Sequence, residues 1–415
     1  MAQQDEPATP VGEETHDVEQ VITPWAVQAD SETGVDYEKL QRDWGAKAIT
    51  PELLARFERV TGHRPHPMLR RGLYFSHRDL DRVLDCYERG EKFFLYTGRG
   101  PSSDALHIGH MIPFMFTQWL QEVFAAPLVV QLTDDEKFLW KDLTLPEADK
   151  LARENAKDIV AFGFDVTRTF MFQNTRYMGE MYRNVLEIQK RVTYSTATAT
   201  FGFDGQSNIG KVAFPAIQAA PSFASSFPRV LGVPRMRCLI PCAIDQDPYF
   251  RVTRQVAPRM PTPLGVPKKE AKKQPGEYKP ALLHCKFITS LQGPGGKMSA
   301  SIPNSAVFVT DTPKQIKAKV MRAFSGGQEK VEDQRRLGAD IEKDVAIQYL
   351  RFFLDDDEEL ASIETRYAKG ELLSGEVKQR LAEVITPIVQ AFQRRRANVT
   401  DEMVEAFMSV RQLDM

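Results

Sequence analysis

The sequence predicts an α/β protein built on a doubly wound parallel sheet, with a small extension before it and an all-helical domain after it. Three observations lead there. Residues 92–97 form a short apolar run ending in Gly98-Arg99-Gly100-Pro101, a helical pattern follows over 107–124, and residues 127–133 form a second apolar run. Strand, glycine turn, helix and strand in that order make a βαβ crossover, and strands without alternation are covered by helices on both faces. Helix and strand signals keep alternating to about residue 244, and beyond Val309 only helical patterns remain.

Residues 1–30 are acidic, punctuated by Pro and Gly and poor in periodic apolar positions, so they are expected to be a disordered acidic tail. Residues 31–78 form an N-terminal extension. It holds an amphipathic stretch over 51–60 that begins at Thr50-Pro51, the basic Pro65-His66-Pro67-Met68-Leu69-Arg70-Arg71, and the start of a second helical pattern over 77–87. The sheet domain is expected over 79–310. Within it, Thr144-Leu145-Pro146-Glu147 is a capping box opening a helix that stops at Gly163, and 170–173 and 236–244 read as further strands. The stretch 259–280 contains Lys268-Lys269-Glu270-Ala271-Lys272-Lys273, has no hydrophobic period and reads as a mobile surface loop. Residues 311–415 form the helical domain, opened by a second capping box at Thr312-Pro313-Lys314-Gln315 and broken at Ser325-Gly326-Gly327 and Ser374-Gly375.

Composition narrows the class. At 415 residues the chain exceeds one usual core, so two or three domains are expected. No apolar run approaches the roughly 18 residues of a membrane span, and the N-terminus has neither the basic start nor the apolar stretch of a leader, so a cytosolic location is expected. Cys86, Cys238, Cys242 and Cys285 include no C-x-x-C pair and read as reduced thiols. Residues 1–38 hold ten acids and no Lys or Arg. Removing that −10 from the net −2 leaves +8 on residues 39–415, a basic body suited to a polyanionic partner.

Two motifs carry the chemistry. His107-Ile108-Gly109-His110 opens the helix that follows the first strand, at the edge where open α/β sheets bind ligands and where a helix N-terminus attracts anions. Gly109 would let an adenine ring lie against backbone, and histidines three apart share a face from which both can donate to phosphate oxygens. The second, Gly293-Pro294-Gly295-Gly296-Lys297-Met298-Ser299-Ala300-Ser301, is a glycine-rich loop that delivers one lysine and hydroxyls; such a cation can meet the charge that builds on a pyrophosphate leaving group. Each alone competes with an ordinary surface role. Together, on a Rossmann-like sheet and in this order, they match the arrangement of class I aminoacyl-tRNA synthetases. His63-x-x-His66, with no third ligand nearby, reads as structural, and no protein metal site is assigned.

From about Tyr37 onward the chain resembles eukaryotic cytoplasmic tryptophanyl-tRNA synthetases. The stretches that carry this are residues 95–103 (LYTGRGPSS), 131–137 (QLTDDEK), 214–223 (FPAIQAAPSF) and 240–250 (IPCAIDQDPYF). The resemblance implies a Rossmann-like catalytic domain over 79–310 and a helical anticodon-binding domain over 311–415. It implies L-tryptophan, ATP and tRNA(Trp) as partners, Mg²⁺ as cofactor, a homodimer and a cytoplasmic location. For the site, it implies catalytic roles for His107, His110, Lys297 and Ser299. ATP contacts fall to Gly98, Arg99, His107, Gly109, His110, Asp245, Gln246, Lys297, Met298 and Ser299. Tryptophan contacts fall to Tyr96 and Gln131 at the indole, to Glu136, Gln218 and Gln246 at the ammonium, and to Cys242 as pocket lining.

The residue types suit these roles, since a ring N–H needs an acceptor and an ammonium needs oxygens. Lys314, Lys317, Arg322 and Arg394-Arg395-Arg396 are candidates for tRNA backbone contact, weighed against a plain solvated face. Ala300 stands where many class I enzymes carry lysine, which leaves Lys297 as the motif's sole cation. Three alternatives stay open at this point: a tyrosine-specific synthetase, a nucleotidylyltransferase, and a non-enzymatic tRNA-binding protein on a degenerate synthetase fold.

Overall fold

The computed structural model describes residues 20–25, 27–28, 34–103, 106–298 and 304–415. Its centre is a seven-stranded sheet of β1 (Lys47–Ala48), β2 (Tyr74–Arg78), β3 (Phe93–Arg99), β4 (Leu128–Leu132), β5 (Thr169–Gln173), β6 (Arg237–Ala243) and β7 (Ala281–Cys285), in spatial order β1-β2-β7-β6-β3-β4-β5. The five strands from β7 to β5 run parallel, and β2 and β1 are antiparallel at one edge. Every residue of β4, β5 and β7 is buried, which is why their sequences lack alternation. The strand order reverses at β3, so a crevice is expected beyond its carboxyl end.

Helix α1 (Ile108–Phe124) follows β3, and α2 (Asp134–Trp140) follows β4 directly. The Thr144 capping box forms as predicted and opens the helix Leu145–Val160. Helix α3 (Ile209–Ala219) and helix α4 (Asp247–Val256) lie either side of β6 in the chain.

Three expectations are corrected. Residues 77–78, read as the start of a helix, close strand β2, and helix begins only at Leu80 after Asp79 turns left-handed (φ 56°). Pairing with β7 decides this: the Ser76 hydroxyl and His284 Nδ1 lie 2.9 Å apart across the two strands, a long-range partner that local periodicity does not reveal. The extension therefore completes the sheet, and the boundary at 78/79 cuts through it.

Second, part of the acidic tail is ordered. Val21–Ile22 pairs antiparallel with Val27–Gln28, and Trp25 between them stacks on Trp140 at 5.1 Å and packs against Phe201, Phe203 and Tyr249. One large aromatic supplies the burial that the composition denied. Residues 1–19, 26, 29 and 30 of that tail lie outside the described residues.

Third, the stretch 259–280 contains the helix Lys268–Lys273. Glu270 pairs with Arg235, whose side chain is almost fully buried, and accepts a hydrogen bond from Tyr278 at 2.9 Å; Arg235 and Arg237 each sit over the Tyr278 ring. Cation–π and ionic contacts anchor the stretch where an apolar period would normally do so.

The helical domain comprises Pro313–Met321, Val331–Leu337, Val345–Phe353, Asp357–Ala368, α5 (Ser374–Ala397) and Asp401–Met408, with its predicted capping box at Thr312 formed. It shares one apolar core with the sheet domain, where Phe162 meets Phe392 at 5.1 Å. Polar contacts lock the two together. Arg396 pairs with Asp158 (2.7 Å) and Glu154 (2.9 Å), and Arg395 donates to the carbonyl of Ala161. The chain end folds back, with Leu413 N–H donating to the carbonyl of Val230 and Asp414 N–H to that of Thr167. Among the described residues no helix is long and apolar enough to cross a membrane.

Candidate active site

A cavity of about 350 Å³ opens at the carboxyl ends of β3 and β6, at the reversal of strand order. Twelve of the predicted site residues line it: Tyr96, Gly98, Arg99, His107, Gly109, His110, Glu136, Gln218, Cys242, Asp245, Gln246 and Met298. They come from segments up to two hundred residues apart, which is the strongest support for treating them as one site.

The segment that follows the second motif joins the first motif through backbone. Ile108 N–H donates to the carbonyl of Val307 and Val309 N–H to that of Leu106, both at 2.9 Å, so the segment after the second motif pins the start of α1. His107 and His110 stack with ring centroids 3.5 Å apart, and the His107 N–H donates to His110 Nδ1 at 3.4 Å. Both residues line the cavity. At Gly109 a Cβ would stand 2.8 Å from Ile288 Cγ2 and 3.1 Å from His107 Nδ1, so glycine is required there by the protein's own packing. At Gly100 a Cβ would fall 2.2 Å from Lys137 Cε.

The second motif is in part a strand, which corrects its reading as a loop. Gly293–Lys297 forms β9, antiparallel to β8 (Thr289–Ser290), with Lys297 opposite Thr289. Backbone pairing to β8 orders this run despite three glycines. Met298 is buried and borders the cavity; Lys297 is placed by its backbone alone, and Ser299 lies outside the described residues together with Ala300 and Ser301.

At the other end, Glu136 occupies the first turn of α2, where three successive acids face a helix N-terminus. It accepts from the Thr133 hydroxyl at 2.7 Å and pairs with Lys137 at 2.8 Å, which hold its carboxylate in place. Arg99 donates from Nε to Asn155 at 3.0 Å; burial lowers its pKa to about 10. Asp245 and Gln246 sit in a single turn of 3-10 helix between β6 and α4. Burial pushes the Cys242 thiol well above its ordinary value, so it lines the pocket as a small apolar group.

Gln131 does not border the cavity. It is completely buried behind it, and its Oε1 accepts from the Tyr96 hydroxyl at 2.5 Å; Gln218 Nε2 donates to the same phenol oxygen at 2.9 Å. Sequence reasoning missed the groups behind Gln131. Its Nε2 donates to Asn174 at 2.8 Å, and Asn174 donates to Asp135 at 2.7 Å. Burial raises the Asp135 carboxyl to about 7, against the pull of the Asn174 hydrogen bond. Asp135 was legible as a neighbour of Glu136; Asn174 carried no signal. Phe214, Tyr249 and Phe250 complete the walls and Pro24 reaches the rim from the N-terminal segment.

A Rossmann-type sheet whose reversal point gathers the H-x-G-H histidines, Glu136 and the second motif's Met298 defines a class I aminoacyl-tRNA synthetase. The model of the family "tRNA synthetases class I (W and Y)" matches residues 88–390. The chain is 54% identical over 403 residues to the cytoplasmic tryptophan–tRNA ligase of Arabidopsis thaliana, with 96% of each chain covered. To that of Homo sapiens it is 53% identical over 400 residues, covering 95% of this chain and 82% of the human one. Among solved structures, tryptophanyl-tRNA synthetase from Giardia lamblia superposes with a TM-score of 0.82 at 42% identity, covering 90% of this chain and 95% of the other. The chain belongs to the tryptophan–tRNA ligase family of class I synthetases.

Proposed function

We propose that the protein activates L-tryptophan with ATP and charges tRNA(Trp), acting in the cytoplasm as its relatives are described to do. The observation that carries this is the meeting of Tyr96, Gln218 and Glu136 with His107 and His110 around one cavity. An indole acceptor and an ammonium acceptor share a chamber with a phosphate-binding helix start. The tryptophan carboxylate attacks the α-phosphorus of ATP, the bond to the β-phosphate breaks, and pyrophosphate leaves. A ribose hydroxyl at the tRNA terminus then attacks the acyl carbon of the adenylate and releases AMP.

The carboxylate is already a nucleophile, so the first step needs positioning and charge neutralisation. His107, His110, Lys297 and Ser299 supply these at the phosphates, with Gly98, Arg99, Gly109 and Met298 shaping the nucleotide end. Asp245 and Gln246 are assigned to the ribose. Mg²⁺ neutralises phosphate charge when bound. The described residues hold no cluster of three or more His, Cys, Asp or Glu side chains, and no protein ligand is assigned to the ion.

Lys314, Lys317 and Arg322 are exposed and remain candidates for tRNA backbone contact, whereas Arg395 and Arg396 are engaged with the sheet domain. Tyr182 and Leu186, one turn apart and about half exposed on Asn174–Gln189, support a homodimer formed through that helix. Charging tRNA with each of the twenty amino acids tests the assignment. Tryptophan should be the one transferred, and transfer of any other in its place would contradict it.

A further inference from the structure

We propose that Asn174 and Asp135 are positioning residues that set the hydrogen-bond polarity of the indole pocket, fixing Tyr96 as an acceptor toward the substrate's ring N–H. The proposal rests on the tryptophan assignment above and deepens it.

A phenol can donate or accept, and so can an amide, so Tyr96 and Gln131 alone leave the sign of the pocket undetermined. The chain behind them determines it. Asp135 Oδ1 accepts two N–H groups, the backbone of Glu136 at 2.8 Å and Asn174 Nδ2 at 2.7 Å. The backbone N–H of Glu136 can only donate, so Oδ1 is an acceptor whichever way the carboxyl titrates, and Asn174 must turn its NH₂ toward it and its oxygen toward Gln131. That oxygen accepts Gln131 Nε2 at 2.8 Å, which leaves Gln131 Oε1 facing Tyr96. The phenol hydrogen is drawn to that oxygen at 2.5 Å, while Gln218 Nε2 occupies one side of the phenol oxygen at 2.9 Å. What remains toward the cavity is a lone pair.

Reversing any amide would reverse all of them. Tyr96 would then accept from both Gln131 and Gln218 Nε2, with its own hydrogen on the carbonyl of Gln218 at 3.1 Å, and no lone pair would remain for an indole N–H. Gln131 and Asn174 are completely buried, so water cannot repair a reversed chain.

The test is ATP–pyrophosphate exchange by the full chain with L-tryptophan and with its benzothiophene analogue, in which sulfur replaces the ring N–H. The unaltered protein should favour tryptophan by about tenfold or more. Asn174→Leu and Asp135→Ala should each lower kcat/KM for tryptophan by about tenfold, mainly through KM, while the analogue changes by less than about threefold. Preserved activity with the analogue shows that the variants are folded, and Asp135→Glu, which keeps the carboxylate, should restore part of the discrimination. Equal losses for both substrates, or discrimination unchanged in both variants, would overturn the proposal. Exchange with tyrosine in place of tryptophan by the unaltered protein is a different result, and it would overturn the assignment beneath it.

Discussion

His284 donates from Nε2 to the carboxylate of Asp247 at 3.0 Å, with both side chains completely buried beneath the turn that carries Asp245 and Gln246. Arg78 donates to the same carboxylate through Nε at 2.9 Å and Nη2 at 2.8 Å, and Arg251 Nε lies 3.4 Å from it. Arg78 belongs to β2 and His284 to β7, so the antiparallel edge contributed by the N-terminal extension holds the wall of the cavity.

Burial alone would raise the Asp247 pKa, but the hydrogen bonds from His284 and Arg78 hold it well below the usual range. A carboxyl depressed in this way stabilises the fold above its unfolded value and loses that contribution as pH falls. Asp247→Asn should cost about 3 to 5 kcal/mol by urea unfolding at neutral pH, because it leaves Arg78 buried without its counter-charge. The gap between variant and parent should narrow below about pH 4. A gap constant with pH would show that the carboxylate's charge is not what matters.

Arg71 reaches from the N-terminal extension to the helical domain. Its side chain donates to Asp357 at 2.8 Å and to the carbonyls of Arg351 and Leu354 at 2.8 and 2.6 Å. Arg71→Met should destabilise the protein by about 2 kcal/mol or more and raise hydrogen exchange selectively in Val345–Phe353 and Asp357–Ala368. Uniform exchange across the molecule would contradict a local clamp.

Most of this architecture could be read from the sequence, and the misses share a cause. The β3–α1–β4 unit, both capping boxes and the helical third depend on local signals, namely apolar runs, N-caps and 3.6-residue periods. Strand β2 depends on His284, more than two hundred residues away, and the order around Trp25 depends on Trp140 and Tyr249. The cavity residues were legible because they lie in runs characteristic of the family. Asn174 was not, because an asparagine after a strand is ordinary until Gln131 and Asp135 are seen on either side of it. In the basic run at 394–396, weighed against a solvated face, the pairing of Arg396 was hidden because its acidic partners, Glu154 and Asp158, are distant in the chain.

Lys297→Ala should slow adenylate formation on the order of 10²-fold or more in single-turnover measurements, since a lone cation at the leaving group acts in the transition state. Tryptophan binding, followed by equilibrium dialysis, should change far less. Comparable losses in both would place Lys297 in ground-state binding.

All four cysteines are buried, and burial raises the thiol pKa of each. Iodoacetamide at about pH 8 should leave the native protein unmodified by intact-mass measurement and label it at every cysteine in urea. Rapid native labelling of Cys242 would show that the cavity wall is open to solvent and the thiolate accessible.

The proposed function requires the cavity behind His107 and His110 to select an indole. Pyrophosphate exchange measured side by side with L-tryptophan and L-tyrosine tests it most directly. Tryptophan should support exchange, with tyrosine slower by a factor of about 10⁴, the discrimination expected when a buried polar site is matched to one ring and not the other. Tyrosine-dependent exchange equal to or faster than that with tryptophan would contradict it.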